Sequence, residues 1–194
     1  MNIGIITSTL VGGILLISIL SFTRLVNTNS LESTLGSINQ NRLNETVEIL
    51  SNDFNKIGFR APVNPIISIG STDFSFIGDI YDNDGLDTTT VRWVWDLTDP
   101  VLNTRNPNDY YLKRTGPVGV STTGETRIPV SYFNIDYYAA DGSLTTNKAV
   151  TKHVEVEIII ESPDPYRTSI SGEEMYYRSV WKRVFIPSNL NLPF

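Results

Sequence analysis

The sequence contains no cysteine and one histidine, His153. No disulfide and no thiolate metal site can form. A Ser-His-Asp triad or a multi-histidine metal centre has almost no material to work with. Positive charge is also scarce: 15 Lys and Arg stand against 21 Asp and Glu, giving a net charge of -6 and a pI near 4.7. Nucleic-acid binding needs a basic face, so no nucleic-acid partner is expected. No nucleophile and base pair stands out, so neither enzyme activity nor a cofactor is expected. Proline is absent ahead of Pro62, and no charged side chain precedes Arg24. What is present is 194 residues, 40% hydrophobic and 19% charged. Such a composition folds rather than staying disordered. The length suits one domain, or one domain with an appendage.

The charge-free stretch runs from Ile3 to Phe22 and contains STLVGGILLISIL, Ser8 to Leu20. As a helix its about 20 residues span roughly 30 Å, the thickness of a bilayer's hydrocarbon core. A cleaved signal peptide would carry basic residues ahead of the run and an A-x-A-like site after it. Neither occurs here, so a retained helix is expected. Only Arg24 flanks the run closely, which gives no clear orientation. Gly12 and Gly13 lie in its middle, where they cost about 2 kcal/mol of helix propensity relative to Ala. Gly4, Ser8 and Gly12 share one face at i, i+4 and i+8, and Thr9 and Gly13 form a second small pair. Small residues let helices approach closely in lipid, so these five are the candidate packing and assembly residues. The alternatives are local unwinding at the glycine pair, or no special role, since Gly is common in membrane helices.

From Thr23 to Ile57 apolar residues recur as Leu31, Leu35, Ile38, Leu43, Val47, Leu50, Phe54 and Ile57, with one slip near Arg42. That is helical periodicity. Gly58, Lys56 in the last turn and Pro62 beyond are stop signals. Gly36 and the polar stretch Asn27 to Ser30 are where a rod would break. Unbroken, it runs about 57 residues, roughly 85 Å. Leu35, Ile38, Val47, Leu50, Phe54 and Ile57 are expected to pack the stem onto whatever follows.

After Pro65 the pattern turns to strands. Residues 66–69, 73–81 and 90–97 are strand-like, with a DNDG turn at Asp82 to Gly85; together they predict a hairpin. Residues 98–126, rich in Asn, Pro, Asp, Gly and Thr, predict a long variable loop with one short strand near YYLKR. Strands are expected at 128–138, 152–160 and 174–186, with a turn at ADGS, Ala140 to Ser143. In the second of these, Val154, Val156 and Ile158 alternate with Glu155 and Glu157, which predicts an antiparallel sheet wet on one face. The fold class is therefore α+β: a long N-terminal helix packed by its apolar stripe on an antiparallel head. Three parts follow: a transmembrane helix at 1–24, an amphipathic stem at 25–58 and a β head at 59–194.

This layout resembles the type IV pilin and pseudopilin superfamily. NDFNKIGFR, Asn52 to Arg60, is similar to the stem end of minor pilins and pseudopilins, with its Asp-x-x-x-x-Gly-aromatic pattern. FIGDIYDNDGLDTTTVRWVWDL, Phe76 to Leu97, is similar to their first hairpin. VEVEIIIES and Tyr176 to Leu190 are similar to their closing strands. The resemblance implies a head of four to six antiparallel strands and a subunit that polymerises through its apolar helix. Its implied partners are copies of itself in a helical filament, a membrane before assembly, and assembly machinery in that membrane. Its implied location is a cell-surface filament with a membrane pool, as a main or a minor subunit. Family members carry Phe followed four residues later by Glu. Here position 5 is Ile5, and aligning Thr9-Leu10-Val11 with the family's Thr-Leu-Ile puts Gly12 at the acidic position. A membrane-anchored extracytoplasmic binding module that never polymerises is the alternative.

Other constellations are weaker. Asp82, Asp84 and Asp87 could hold Ca²⁺ through oxygen, but the spacing is not that of an EF-hand, and turn chemistry accounts for DNDG. Glu173 and Glu174 are adjacent on a strand and point to opposite faces. His153 is expected to be a surface side chain. Trp93, Trp95 and Trp181 are expected in the sheet core or at a subunit interface. The Asn44-Glu45-Thr46 sequon falls on the helix, a poor glycan acceptor.

Overall fold

The computed structural model describes residues 3–61, 64–81, 88–119 and 122–190. One helix, α1, runs unbroken over Ile3–Asn55. Its 53 residues make a rod of about 80 Å. Neither Gly36 nor the Asn27–Ser30 stretch interrupts it. Gly36 is a seat for Tyr177 instead: a Cβ there would lie 2.9 Å from Tyr177 Cζ.

The strands are β1 (Ile66–Ser68), β2 (Asp73–Gly78), β3 (Thr89–Pro100), β4 (Tyr110–Gly119), β5 (Thr122–Val130), β6 (Tyr132–Tyr138), β7 (His153–Glu161), β8 (Arg167–Thr168), β9 (Glu174–Met175) and β10 (Arg178–Phe185). All named pairings are antiparallel. They form a five-stranded sheet β1-β2-β3-β4-β5, a three-stranded sheet β10-β7-β6 and a two-stranded ribbon β8-β9. A short 3-10 turn, Ser188–Leu190, follows β10.

Two expectations are corrected. Residues 98–126 are mostly a hairpin, not a loop: β4 pairs β5 from Tyr110↔Val130 to Gly119↔Thr122. Its strand signal is weak because one buried position on β4 holds Arg114, and Gly116 and Gly124 face each other further out. The strand expected at 128–138 is also two strands. The chain leaves the larger sheet after Val130 and enters the smaller one at Tyr132. Between them the Ser131 N–H donates to the Ile159 carbonyl at 2.9 Å.

The core lies where α1 meets both sheets. Leu43, Leu50, Phe54 and Ile57 pack with Phe74, Phe76, Val91 and Trp93 of the larger sheet and with Phe133, Ile135, Val156, Ile158 and Phe185 of the smaller one. Phe54 is the hub, with ring centroids 5.2 Å from Phe185, 5.4 Å from Phe74 and 6.5 Å from Trp93. On β7, Val154, Val156 and Ile158 point inward while Glu155 and Glu157 are half-buried on the other face. The smaller sheet runs along the helix. Tyr177 sits on Gly36 and Phe185 on Phe54. The chain between the two tyrosine and phenylalanine contacts covers about 26 Å as strand, and the helix between them about 27 Å.

The buried face of the stem is partly polar. It comprises Leu35, Asn39, Leu43, Thr46, Leu50, Asp53 and Phe54. Asn39 takes the inward position between Leu35 and Leu43, donating to the carbonyls of Ile160 at 2.8 Å and Tyr177 at 3.0 Å. Ile38, expected to pack inward, is 46% exposed. The slip near Arg42 is the sign of this: the stripe continues through a polar residue, and Ile38 lies about 100° round the helix from it.

At the helix end, β3 and β4 place Trp93 opposite Arg114. Both reach Asp53, which is fully buried. Arg114 donates twice to the carboxylate, at 2.6 and 2.9 Å, and Trp93 Nε1 donates at 2.9 Å. A third guanidinium nitrogen donates to the Pro117 carbonyl at 3.0 Å. The chain then turns back at Gly58, whose φ is +76° and whose N–H donates to Ile77 O at 3.0 Å.

Breaking one half of a buried ion pair leaves the other charge stranded, so Asp53→Ala is expected to cost about 3–5 kcal/mol. Adding Arg114→Met is expected to restore part of that loss. Urea denaturation of the full chain in detergent, followed by tryptophan fluorescence, measures both; a single-variant cost under about 1 kcal/mol, the size of a surface pair, would sink the assignment.

Candidate functional site

The N-terminal part of α1 is not buried by any other described residue. Its most apolar window is wholly unburied, and it is long and apolar enough to cross a membrane. Twelve large apolar side chains from Ile3 to Phe22 are exposed. Covering one such side chain is worth about 1.5–3 kcal/mol. Leaving them all in water would outweigh the whole stability of an ordinary domain, about 5–15 kcal/mol. Lipid or protein must therefore cover the run.

Most of the few hydroxyls there are satisfied within the helix. Thr7, Thr9, Ser18 and Thr23 each donate a hydroxyl to the carbonyl four residues earlier, at 2.8 to 2.9 Å. That internal pairing is what a segment without water requires. Gly4, Ser8, Thr9, Gly12 and Gly13 all lie on this helix and are exposed. A Cβ at Gly12 or Gly13 would meet nothing within 4 Å. The two glycines thus face open space and meet no other described residue.

On the stem side, Leu35, Leu50, Phe54 and Ile57 are buried and Val47 packs partly against the core. Sequence patterning missed Asn39, Thr46 and Asp53 on the same face. Each interrupts an apolar stripe at helical spacing, which is the available signal, but the partners of Asn39 and Asp53 lie on distant strands. Asp82, Asp84 and Asp87 lie outside the described residues; among those described, no group of three or more His, Cys, Asp or Glu side chains could hold a metal. Glu174 begins β9 and pairs with Arg105 at 2.7 Å, while Glu173 lies in the turn before it. His153 begins β7, half-buried, opposite Tyr138. Trp93 is core; Trp95 meets Tyr110 and Tyr132 edge-on, and Trp181 leans on Phe185. Asn44 is exposed on α1 and accepts from Gln40 at 3.0 Å.

A polar groove of about 580 Å³ lies beside the stem, between Leu25, Thr28 and Glu32 on α1 and Arg105, Arg167 and Glu174 across from them. Burial and the Glu174 carboxylate push the Tyr176 phenol up to about 12. On the larger sheet, Lys113 and then Thr98 hold the Asp96 carboxyl well below the usual range. Asp109 behaves the opposite way. Burial raises its carboxyl above the ordinary value, against hydrogen bonds from Thr104 at 2.9 Å and Ser131 at 3.0 Å. It ties the start of β4 to the crossing point at Ser131.

No protein-family model, no curated protein and no solved structure matches the chain. The architecture itself, an apolar N-terminal helix ahead of an antiparallel β head, suits membrane insertion or a signal anchor and is compatible with a pilin-like layout.

A carboxyl raised in the folded state is bound more tightly to its proton there than in the unfolded chain. Stability therefore falls as pH rises from the ordinary carboxylate range through the raised Asp109 value. Asp109→Asn removes that component, so its urea midpoint relative to wild type is expected to improve with rising pH across that window. A flat difference would overturn the assignment.

Proposed function

We propose that the chain is a structural subunit of a type IV pilus-like cell-surface filament. Its apolar half-helix sits in a membrane before assembly. It then bundles with copies of itself in the filament core, and the β head forms the outer surface. Machinery in the membrane supplies the work of polymerisation. One observation carries this reading: a single unbroken helix exposes apolar side chains all round in its first half and buries one stripe against a β head in its second. Such a helix suits two environments in turn, lipid and a protein bundle. The open glycines fit the second, because small residues allow backbones to approach. The stem and closing strands are similar to those of minor subunits and pseudopilins, so a minor place in a secretion or uptake filament is part of the same proposal.

A second reading is a membrane-anchored extracytoplasmic binding module that does not polymerise. It is favoured by the acidic pattern: the first carboxylate on α1 is Glu32. The acidic residue that the pilin resemblance implies near the start of the helix is absent.

Shearing cells and measuring the intact mass of the sheared material separates the two. The filament reading expects this chain in the sheared fraction; recovery in the membrane fraction alone overturns it. Gly12→Leu with Gly13→Leu is expected to reduce filament yield strongly while leaving membrane insertion intact, and a normal yield would show that close approach at these residues is unnecessary.

A further inference from the structure

The β8-β9 ribbon has no place in the core. Its strands are two residues each, Arg167 to Thr168 and Glu174 to Met175, all exposed. The hairpin is closed by Ser169 and Gly172, with the Gly172 N–H donating to Ser169 O at 3.0 Å and Gly172 at φ +88°. At its tip stands Ile170, fully exposed. A large apolar side chain alone on a polar, glycine-bearing turn is an odd choice for a tip that meets only water.

The position of the tip is set by the helix beside it. Tyr177 lies at the level of Gly36 and Asn39. Thr168 and Glu174 lie across the groove from Leu25, Thr28, Asn29 and Glu32. The ribbon therefore climbs along α1 towards its N-terminus. Beyond the Thr168–Glu174 pair the turn reaches about 7–10 Å further, equal to about five to six helix residues. The tip thus reaches the level of Thr23 and Arg24, where the apolar run ends.

We infer that the ribbon is a second footing on the bilayer, with Ile170 entering the interface next to the point where α1 leaves it. This rests on the reading of residues 3–22 as membrane-embedded. The surrounding chemistry suits an interface. Arg167 is exposed and its side chain has no partner among the described residues. Arg24 lies on the helix at the level of the tip and Arg167 stands further back at the base of the ribbon; both long side chains can reach towards lipid phosphates. Tyr166 and Tyr176 stand just above, half-buried, where amphipathic rings settle at headgroup depth. Glu174 is neutralised by Arg105, while Glu173 keeps one negative charge near the tip. The footing is therefore apolar first and electrostatic second. Two contacts with the membrane, one helical and one at the ribbon, would fix the rotation of the head about the helix axis, which a single helix leaves free.

The absence of cysteine makes the test clean, because one introduced thiol is unique. Ile170→Cys, Leu15→Cys and Leu144→Cys full chains are labelled with an environment-sensitive fluorophore. They are reconstituted in phosphatidylcholine vesicles containing phosphatidylglycerol. Quenching is compared between nitroxide lipids and aqueous iodide. Leu15 reports the helix, and Leu144, exposed on the loop after β6 at the far end of the head, reports water. The expected result is lipid quenching at 15 and 170, several-fold above that at 144. Lipid quenching at 15 with only iodide quenching at 170 overturns the ribbon footing and leaves the membrane helix standing. Shielding of 170 from both quenchers means a protein neighbour covers it, and also overturns the footing. Iodide quenching at 15 overturns the membrane reading and the footing with it.

Discussion

The clasp of Asp53 by Arg114 and Trp93 is the constraint on which the rest of the molecule turns. A fully buried carboxylate tolerates no half-made geometry, because each lost partner leaves a charge in a low-dielectric interior. Rotating α1 by one residue, about 100°, would carry Asp53 away from both donors. The clasp therefore sets the rotation of the helix against the larger sheet. Once that rotation is set, Phe54 falls between the two sheets and Asn39, four turns earlier, meets the carbonyls of Ile160 and Tyr177. The helix being continuous, the same rotation decides which direction Gly4, Ser8 and Gly12 face far outside the head.

The helix itself is built so that its two halves make opposite demands. In the first half, the backbone and four of the hydroxyls are satisfied within the segment, and the surface is predominantly apolar. In the second, three polar residues are buried and two of them depend on partners in the head. Cutting the chain between the halves would separate an apolar peptide from a head that keeps the stem filling its core.

Much of the architecture was legible in the sequence. Charge-free length revealed the first half of α1, helical spacing the stem, and strict alternation the inward face of β7. Most of what escaped has one physical cause. Pattern reading counts apolar residues, and it fails where a buried position is polar and its partner is far away in the chain. Spacing favours Ile38 over Asn39, because the two carbonyls that make Asn39 a good buried residue are supplied by β7 and the segment before β10. The β4-β5 hairpin looked like a loop because its key inward residue is Arg114, whose partner sits on the helix. The crossing at Ser131 leaves little local mark, since a single bend residue separates the two strands. At the candidate assembly face the small-residue pattern was plain, but no described residue meets Gly12 or Gly13.

The alignment of the smaller sheet with α1 has a mechanical consequence. Because the chain from Tyr177 through β10 runs beside the stem over about 26 Å, tension applied along the helix axis loads the contacts from Gly36–Tyr177 to Phe54–Phe185 in shear. In shear the contacts bear force together; in a peeling geometry they would yield one after another. The arrangement resists a lengthwise pull far better than a sideways one, so the head would be shed most readily by force directed across the rod.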